Sequence, residues 1–600
     1  MLRRRLLQMT AAAPLALAAK AAVAAPALFR RPRPTDAAWP SSDDWAELKA
    51  AVGGALIKPE PLLSACEADA RSESCRTRFK AMQNPFFLGD QAAGTQVSGY
   101  LDAWMPAPSA FAVAARTTAD VAAAITFARR HRLRLVIKGG GHSYFGTSNA
   151  PDSLLIWTRP MRAVNLIDAF VPLGAPGSVA PVHAVTAEAG AMWIDLYDAV
   201  TTKAGRYVQG GGCTTVGVPG HIQSGGFGSF SKGFGTSSGN LLEAEVVTAD
   251  GVIRVVNAWR HPDLFWALKG GGGGSLGVVT RVTLRTHVLP ERFGWAEMSI
   301  KAASDAAYTR LVSRFLAFYG ESLMNPHWGE QAAIQPDNVL KISMVSQGLD
   351  ADAARAVWRA FIDGVNASGT DYRWTQTPSI GGGAARDWWN VEGMKRDGSD
   401  AMRYDDRPGA SPTHGWWSGD NGQVNAFLHG YDSIWLPATL LAADHRERLA
   451  AALVAASRQM AVQLHFNKGL AGAPPEALAG ARDTAMNPEV LTAFALAIVA
   501  TGGPPTYGAL VGFKPDLALA HRNAARVAAS AAALRAVAPL GGSYLSESNY
   551  FNDDWARAYW GSHHPRLSGV KTKYDPEGLF FVHHGVGSEL WSADGFERKA

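Results

Sequence analysis

Three glycine clusters, a histidine after the first and a cysteine after the second are the residues of this chain best placed to do chemistry. The clusters are Gly139-Gly140-Gly141, then Gly210-Gly211-Gly212 with Gly225, Gly226 and Gly228, then residues 270–274. Glycine lets backbone N–H groups approach and cradle phosphate oxygens. Three such loops in one region point to one extended, phosphate-bearing cofactor, with ordinary turns as the alternative reading. His142 follows the first cluster and Cys213 the second.

Other motif matches fail on context. Gly272-Gly-Gly274-Ser-Leu-Gly277 fits G-x-G-x-x-G. It follows a helical pattern and opens a strand, the reverse of the nicotinamide-binding order. Gly235-Thr-Ser237-Ser-Gly239 and Gly273-Gly-Ser275-Leu-Gly277 fit the hydrolase elbow but lead toward strands. The pairs His563-His564 and His583-His584 are adjacent residues whose side chains diverge, so no metal site is expected.

The elements that must hold these loops read as mixed α and β. Phe111 to Ala115 and Leu133 to Ile137 read as strands, the second running into the first glycine cluster. Thr118 is the expected cap of a helix bearing Val121, Ile125 and Ala128. Residues 191–204 read as a helix stopped by Gly205, and 245–256 as a hairpin turning at Asp250-Gly251. Pro262 to Lys269 reads as a short helix and Gly277 to Thr286 as a strand. Residues 300–535 are Ala-rich, with helical patterns at 351–364 and 443–463 around Trp374, Trp388, Trp389, Trp416 and Trp417. That Trp-rich stretch reads as core packing, with a sugar-stacking platform as the alternative.

At 600 residues with 47% hydrophobic and 18% charged residues, the chain can bury a large core and exceeds one ordinary domain. The formal charge of +5 is concentrated at the N-terminus. Residues 1–24 hold Arg3, Arg4, Arg5 and Lys20 and no acid, which leaves 53 basic against 52 acidic residues. A near-neutral body gives no support to nucleic-acid binding. Mean hydropathy of −0.05 and no long apolar run in the body argue against a membrane span. Residues 1–24 read as a twin-arginine-like signal peptide ending near Ala22-Val23-Ala24, with an ordinary secretory signal as the alternative. The expected fate is export to the periplasm or outside the cell by the twin-arginine machinery. Cys66 and Cys75, nine apart, can close a disulfide there, which leaves Cys213 unpaired.

The segment Lys138-Gly139-Gly140-Gly141-His142-Ser143-Tyr144 resembles the pyrophosphate loop of the vanillyl-alcohol-oxidase type of FAD-binding domain. Gly212-Cys213-Thr-Thr-Val216-Gly217-Val-Pro-Gly220-His221, continued by Gly225, Gly226 and Gly228, resembles the second flavin loop of the berberine bridge enzyme-like subfamily. The stretch from Trp555 to Phe580 resembles the terminal motif of that subfamily. The resemblance implies an α+β fold: a two-part FAD-binding domain and a substrate domain with an antiparallel sheet covered by helices. The expected divisions are an N-terminal wrapping segment at 25–105, the FAD-binding domain at 106–290, the substrate domain at 291–540 and a returning C-terminal segment at 541–600.

It also implies covalent FAD, tethered through His142 to the flavin 8α position and through Cys213 to carbon 6. Val216 would sit at the flavin edge and His221 by the ribityl chain, with Gly277, Val278 and Val279 lining the ring. His563-His564 stand where the subfamily carries Asn-Tyr, so no flavin contact carries over there. Tyr544, Glu547 and Tyr550 would face the substrate as candidate bases. The implied reaction oxidises an alcohol, on a sugar or other hydroxylated small molecule, by hydride transfer to flavin N5. Oxygen is the implied acceptor and hydrogen peroxide the product. The alternatives are a dehydrogenase with a quinone or protein acceptor, or a non-catalytic binding protein.

Overall fold

The computed structural model describes residues 29–599 other than 68, 508, 509, 511 and 512. The targeting segment expected over 1–24 lies outside the described residues. Cys66 and Cys75 are joined in a disulfide, and Cys213 is free.

Among the described residues the α+β architecture rests on three larger sheets, beside a two-stranded pair of Met402–Tyr404 with Gly415–Trp417. In the four-stranded sheet, Leu56–Ile57, Phe111–Ala114, Leu154–Trp157 and Leu135–Lys138 lie side by side in that order. The last three run parallel. Parallel neighbours need a crossover, and Thr118–Arg130 supplies it. The cap of that helix is Thr117 rather than the expected Thr118. Thr117 Oγ1 accepts from the Asp120 amide, and the Asp120 carboxylate accepts from the Thr117 amide. Thr118 instead donates to Glu245. Val121, Ala124, Ile125 and Ala128 form the buried face, as their helical spacing requires.

An antiparallel sheet follows, in the order Val164–Phe170, Val182–Glu188, Val278–Val288, Leu241–Val247, Ile253–Asn257. Its hairpin turns at Asp250-Gly251, where Gly251 takes φ +78° and Asp250 accepts from the Val252 amide. The helix expected at 191–204 starts at Trp193 and widens into a π-helical stretch, Tyr197–Lys203, with Trp193, Leu196, Tyr197 and Val200 buried.

The third sheet has seven antiparallel strands drawn from residues 292–503. Helices Asp305–Phe318, Ala351–Asn366, Ala443–Gln459 and Leu517–Arg535 supply apolar side chains to its core. The pattern expected to stay helical through 463 ends at Gln459. Met460 turns extended, and Val462–His465 pairs as a strand between Trp328–Ile334 and Ala493–Gly503. Strand residues alternate between faces. Ala296, Met298 and Ile300 therefore point into the helix-covered core, while Trp295 and Glu297 face a cavity on the other side.

The C-terminal helix His564–Tyr574 ties the chain back to the first part. Lys571 Nζ donates to the carbonyls of Ser275 and Phe580 and pairs with Asp575. Phe580 bridges to Leu135 of the parallel sheet.

Candidate active site

A cavity of about 1670 Å³ lies between the glycine loops and the open face of the seven-stranded sheet. Ligand pockets usually measure about 300–1,000 Å³, so this one has room for a cofactor and a second molecule. Gly139 to Ser143, Gly211 to Cys213, Val216, Gly217, Gly220, His221 and Gly272 to Gly274 line one side. Two of the loops touch: a Cβ on Gly140 would lie 2.9 Å from the Gly217 amide nitrogen. Gly141, Gly272, Gly274 and Gly277 all have positive φ. A Cβ on Gly220 would meet nothing within 4 Å, and one on Gly274 nothing nearer than 3.8 Å. The loops thus offer bare backbone to a ligand. Among the described lining residues there is no arginine, which leaves backbone N–H groups to meet phosphate. The donor set fits FAD, with these three loops as the residues that would hold it.

His142 and Cys213 both line this cavity. His142 Nε2 is 2.9 Å from Thr215 Oγ1, on the cysteine loop. Burial pulls the imidazole down to about 4, so it is neutral near pH 7 with a lone pair to offer. The Cys213 thiol is pushed up, first by burial and then by Asp420 and Glu547, and stands protonated. Thr214 Oγ1 donates to Gly415 O at 2.7 Å and Tyr197 Oη to Gly211 O at 2.6 Å, anchoring the loop on both flanks. Trp193 Nε1 donates to His221 Nδ1, so His221 Nε2 carries the proton and donates to Phe227 O.

Several of the expected flavin residues serve the loops instead of lining the cavity. Gly228 is required because a Cβ there would fall 1.7 Å from Gly210 O. Gly225 and Gly226 likewise pack against Met486 and Ser237, behind the cavity. Gly228→Ala is expected to lower stability by about 1–3 kcal/mol through overpacking and to reduce flavin loading. A melting curve and flavin content like the wild type would contradict that role. Val279 lines the cavity, but Val278 belongs to the core behind it, because neighbouring strand residues face opposite ways. Lys138 sits at the cavity edge with its ammonium donating to the carbonyls of Gln91 and Ala92, so it braces the loop from behind. Ser143 and Tyr144 line the cavity, and Tyr144 Oη donates to Gln423 at 2.7 Å.

The three candidate bases separate. Tyr550 does not line the cavity: its ring stacks on His583 at 3.8 Å and packs against Tyr100 and Phe145. Tyr544 lines it, but burial pushes its phenol pKa up and the ring is wedged edge-on against Phe227. Glu547 lines it as a carboxylate paired with Lys468. His563 and His564 stand away from the cavity wall, on Met486 O and Trp560 respectively.

The sequence reading missed Lys468, Asn467, Glu330, Asp420 and Tyr431, all of which line the same cavity. They belong to the motif-poor middle of the chain. Alternation within Val462–His465 was the one signal available, since it sends Gln463 and His465 to the cavity face. The tryptophan pairs divide as adjacent residues must. Trp389 stacks on Tyr197 at 4.0 Å and Trp416 is buried, while Trp388 and Trp417 line the cavity.

Comparison with known proteins agrees with this geometry. Residues 109–257 match the family described as FAD binding domain, and residues 529–587 the family described as berberine and berberine like. The chain is 28% identical over 587 residues to the VAO-type flavoprotein oxidase VAO615 of Thermothelomyces thermophilus, covering 94% of this chain and 93% of the relative. It is 28% identical over 595 residues to the FAD-linked oxidoreductase malF of Malbranchea aurantiaca, covering 95% and 94%. The crystal structure of VAO-type flavoprotein MtVAO615 from Myceliophthora thermophila C1 matches with a TM-score of 0.77 at 25% identity, over 95% of this chain and 100% of that one.

Proposed function

We propose that this chain, an FAD-dependent oxidoreductase of the berberine bridge enzyme-like, vanillyl-alcohol-oxidase type, is an exported oxidase that holds its flavin by two covalent bonds and acts on an alcohol. One observation carries the reading: His142 and Cys213 open onto the same cavity, with the Glu547–Lys468 pair on its wall. A flavin bound there would supply the two-electron acceptor for substrate hydride, with oxygen as the final oxidant and hydrogen peroxide as the product.

The chain's own residues supply the rest. Neutral His142 presents a nucleophilic ring nitrogen, oriented by Thr215. Cys213 contributes its sulfur from the adjoining loop. Glu547 accepts the substrate hydroxyl proton as the C–H bond breaks. The Lys468 ammonium holds the carboxylate in place. Trp388 and Trp417 shape the apolar part of the substrate space. The Arg3-Arg4-Arg5 segment and the Cys66–Cys75 disulfide support export to an oxidising compartment.

Peroxide release from air-saturated holoenzyme, screened over alcohols and sugars, tests the reading. Peroxide formed in proportion to substrate consumed is the expected result. Turnover that proceeds with a quinone dye and yields no peroxide in air would replace the oxidase with a dehydrogenase.

A further inference from the structure

The charged groups around the cavity do not balance. Five carboxyl groups and two lysines line it. Lys138 is turned to backbone carbonyls and Lys468 is paired with Glu547. Glu297, Glu330, Asp387 and Asp420 are left with no cationic partner among the described residues. Glu297 and Asp387 are exposed at the cavity mouth. Glu330 and Asp420 lie deeper, on the Cys213 side. A Cβ on Gly212 would be 3.7 Å from Glu330 Oε1, and Asp420 lies close enough to Cys213 to raise the thiol's pKa.

A second observation is independent of charge. Asn467, 5% exposed and lining the same cavity, has no hydrogen-bond partner for Oδ1 among the described residues. It stands beside Glu330: the Phe466 amide donates to Glu330 O, and a Cβ on Gly329 would be 3.6 Å from the Asn467 Cβ. A buried acceptor without a donor is unfavourable, and so is a carboxylate drawn out of bulk water with no cation beside it, even where, as at Glu330, it accepts from Ser229 Oγ. A ligand that donates hydrogen bonds and carries positive charge relieves both. The acidic mouth would also draw such a ligand in.

We propose that the substrate carries a protonated amine in addition to the hydroxyl group that is oxidised, and that Glu330 and Asp420 hold the ammonium while Asn467 Oδ1 accepts one of its protons. This rests on the alcohol-oxidase reading for the hydroxyl, and on the lining residues alone for the amine. Burial raises the pKa of both Glu330 and Asp420. Affinity for the cation therefore rises with pH as these two ionise.

The test uses three probes of one shape with the holoenzyme: 4-(aminomethyl)benzyl alcohol, 1,4-benzenedimethanol and 4-(hydroxymethyl)benzoate. Binding is read by tryptophan fluorescence, since Trp388 and Trp417 line the cavity. The cation is expected to bind at least about tenfold more tightly than the neutral diol, the difference of one charge-assisted hydrogen bond, and the anion most weakly. Glu330→Gln and Asp420→Asn should each move the cation-to-diol ratio toward one. Equal binding of the three probes, no binding of the cation, or preference for the anion overturns the proposal, and the wild-type result stands even if a variant fails to fold. If the cation is preferred but no alcohol is oxidised, the oxidase reading falls and the amine site remains. If alcohols are oxidised without regard to charge, the amine site falls and the oxidase remains.

Discussion

Glu547→Gln is expected to lower kcat by roughly 10²–10⁴-fold, the range for removing a positioned general base. The amide keeps the shape and can still accept a hydrogen bond from Lys468, but it cannot take a proton. Flavin content should be unchanged, because Glu547 is paired with Lys468 and belongs to none of the glycine loops. Lys468→Met should also slow turnover, by leaving a carboxylate without the ammonium that holds it. Tyr544→Phe is the comparison that separates the candidates. Burial pushes the Tyr544 phenol far above neutral pH, so its loss should change kcat by less than about tenfold. A large fall for Tyr544→Phe with near-normal Glu547→Gln would transfer the base to the tyrosine.

The second large effect concerns the flavin bonds. His142→Ala and Cys213→Ala should each retain covalently bound flavin through the remaining residue, while the double variant should release all of it on acid precipitation. The two side chains act from neighbouring loops, joined by the His142–Thr215 hydrogen bond and by the contact of Gly140 with Gly217. Loss of one bond therefore leaves the ligand seated against the other loop. Single variants should melt at lower temperature than wild type, since each bond links cofactor binding to the folded state. Covalent flavin in the double variant would show that the tethers lie elsewhere.

The glycine loops were legible because their function is local. A run that needs bare backbone at Gly141, Gly272, Gly274 and Gly277 is written in consecutive residues, and positive φ there excludes most side chains. The elements holding them were legible for the same reason, with errors of one residue or one turn. Thr117 and Thr118 are equally good caps by type, and only the reach of Asp120 back to the Thr117 amide decides between them. Val278 and Val279 are alike in composition and differ in which face of the strand they occupy. The helix over 443–459 ends against a strand pairing that depends on residues from 328 to 334 and 493 to 503, far along the chain.

The substrate wall was not legible because it is assembled at long range. Lys468 and Glu547 are 79 residues apart, and nothing near either one marks the other. Glu330, Asp420 and Asn467 come from three separate stretches that meet only when the seven-stranded sheet closes over the glycine loops. Tyr550 shows the converse: three residues from Glu547 in sequence, it turns away to stack on His583. Proximity in sequence grouped Tyr544, Glu547 and Tyr550, and packing separated them.

Peptide mass mapping of the purified yellow protein tests the central claim most directly. After acid precipitation and digestion, one FAD should join the peptide containing His142 to the peptide containing Cys213. Flavin recovered free in the acid supernatant, or attached to peptides containing neither residue, would contradict the account.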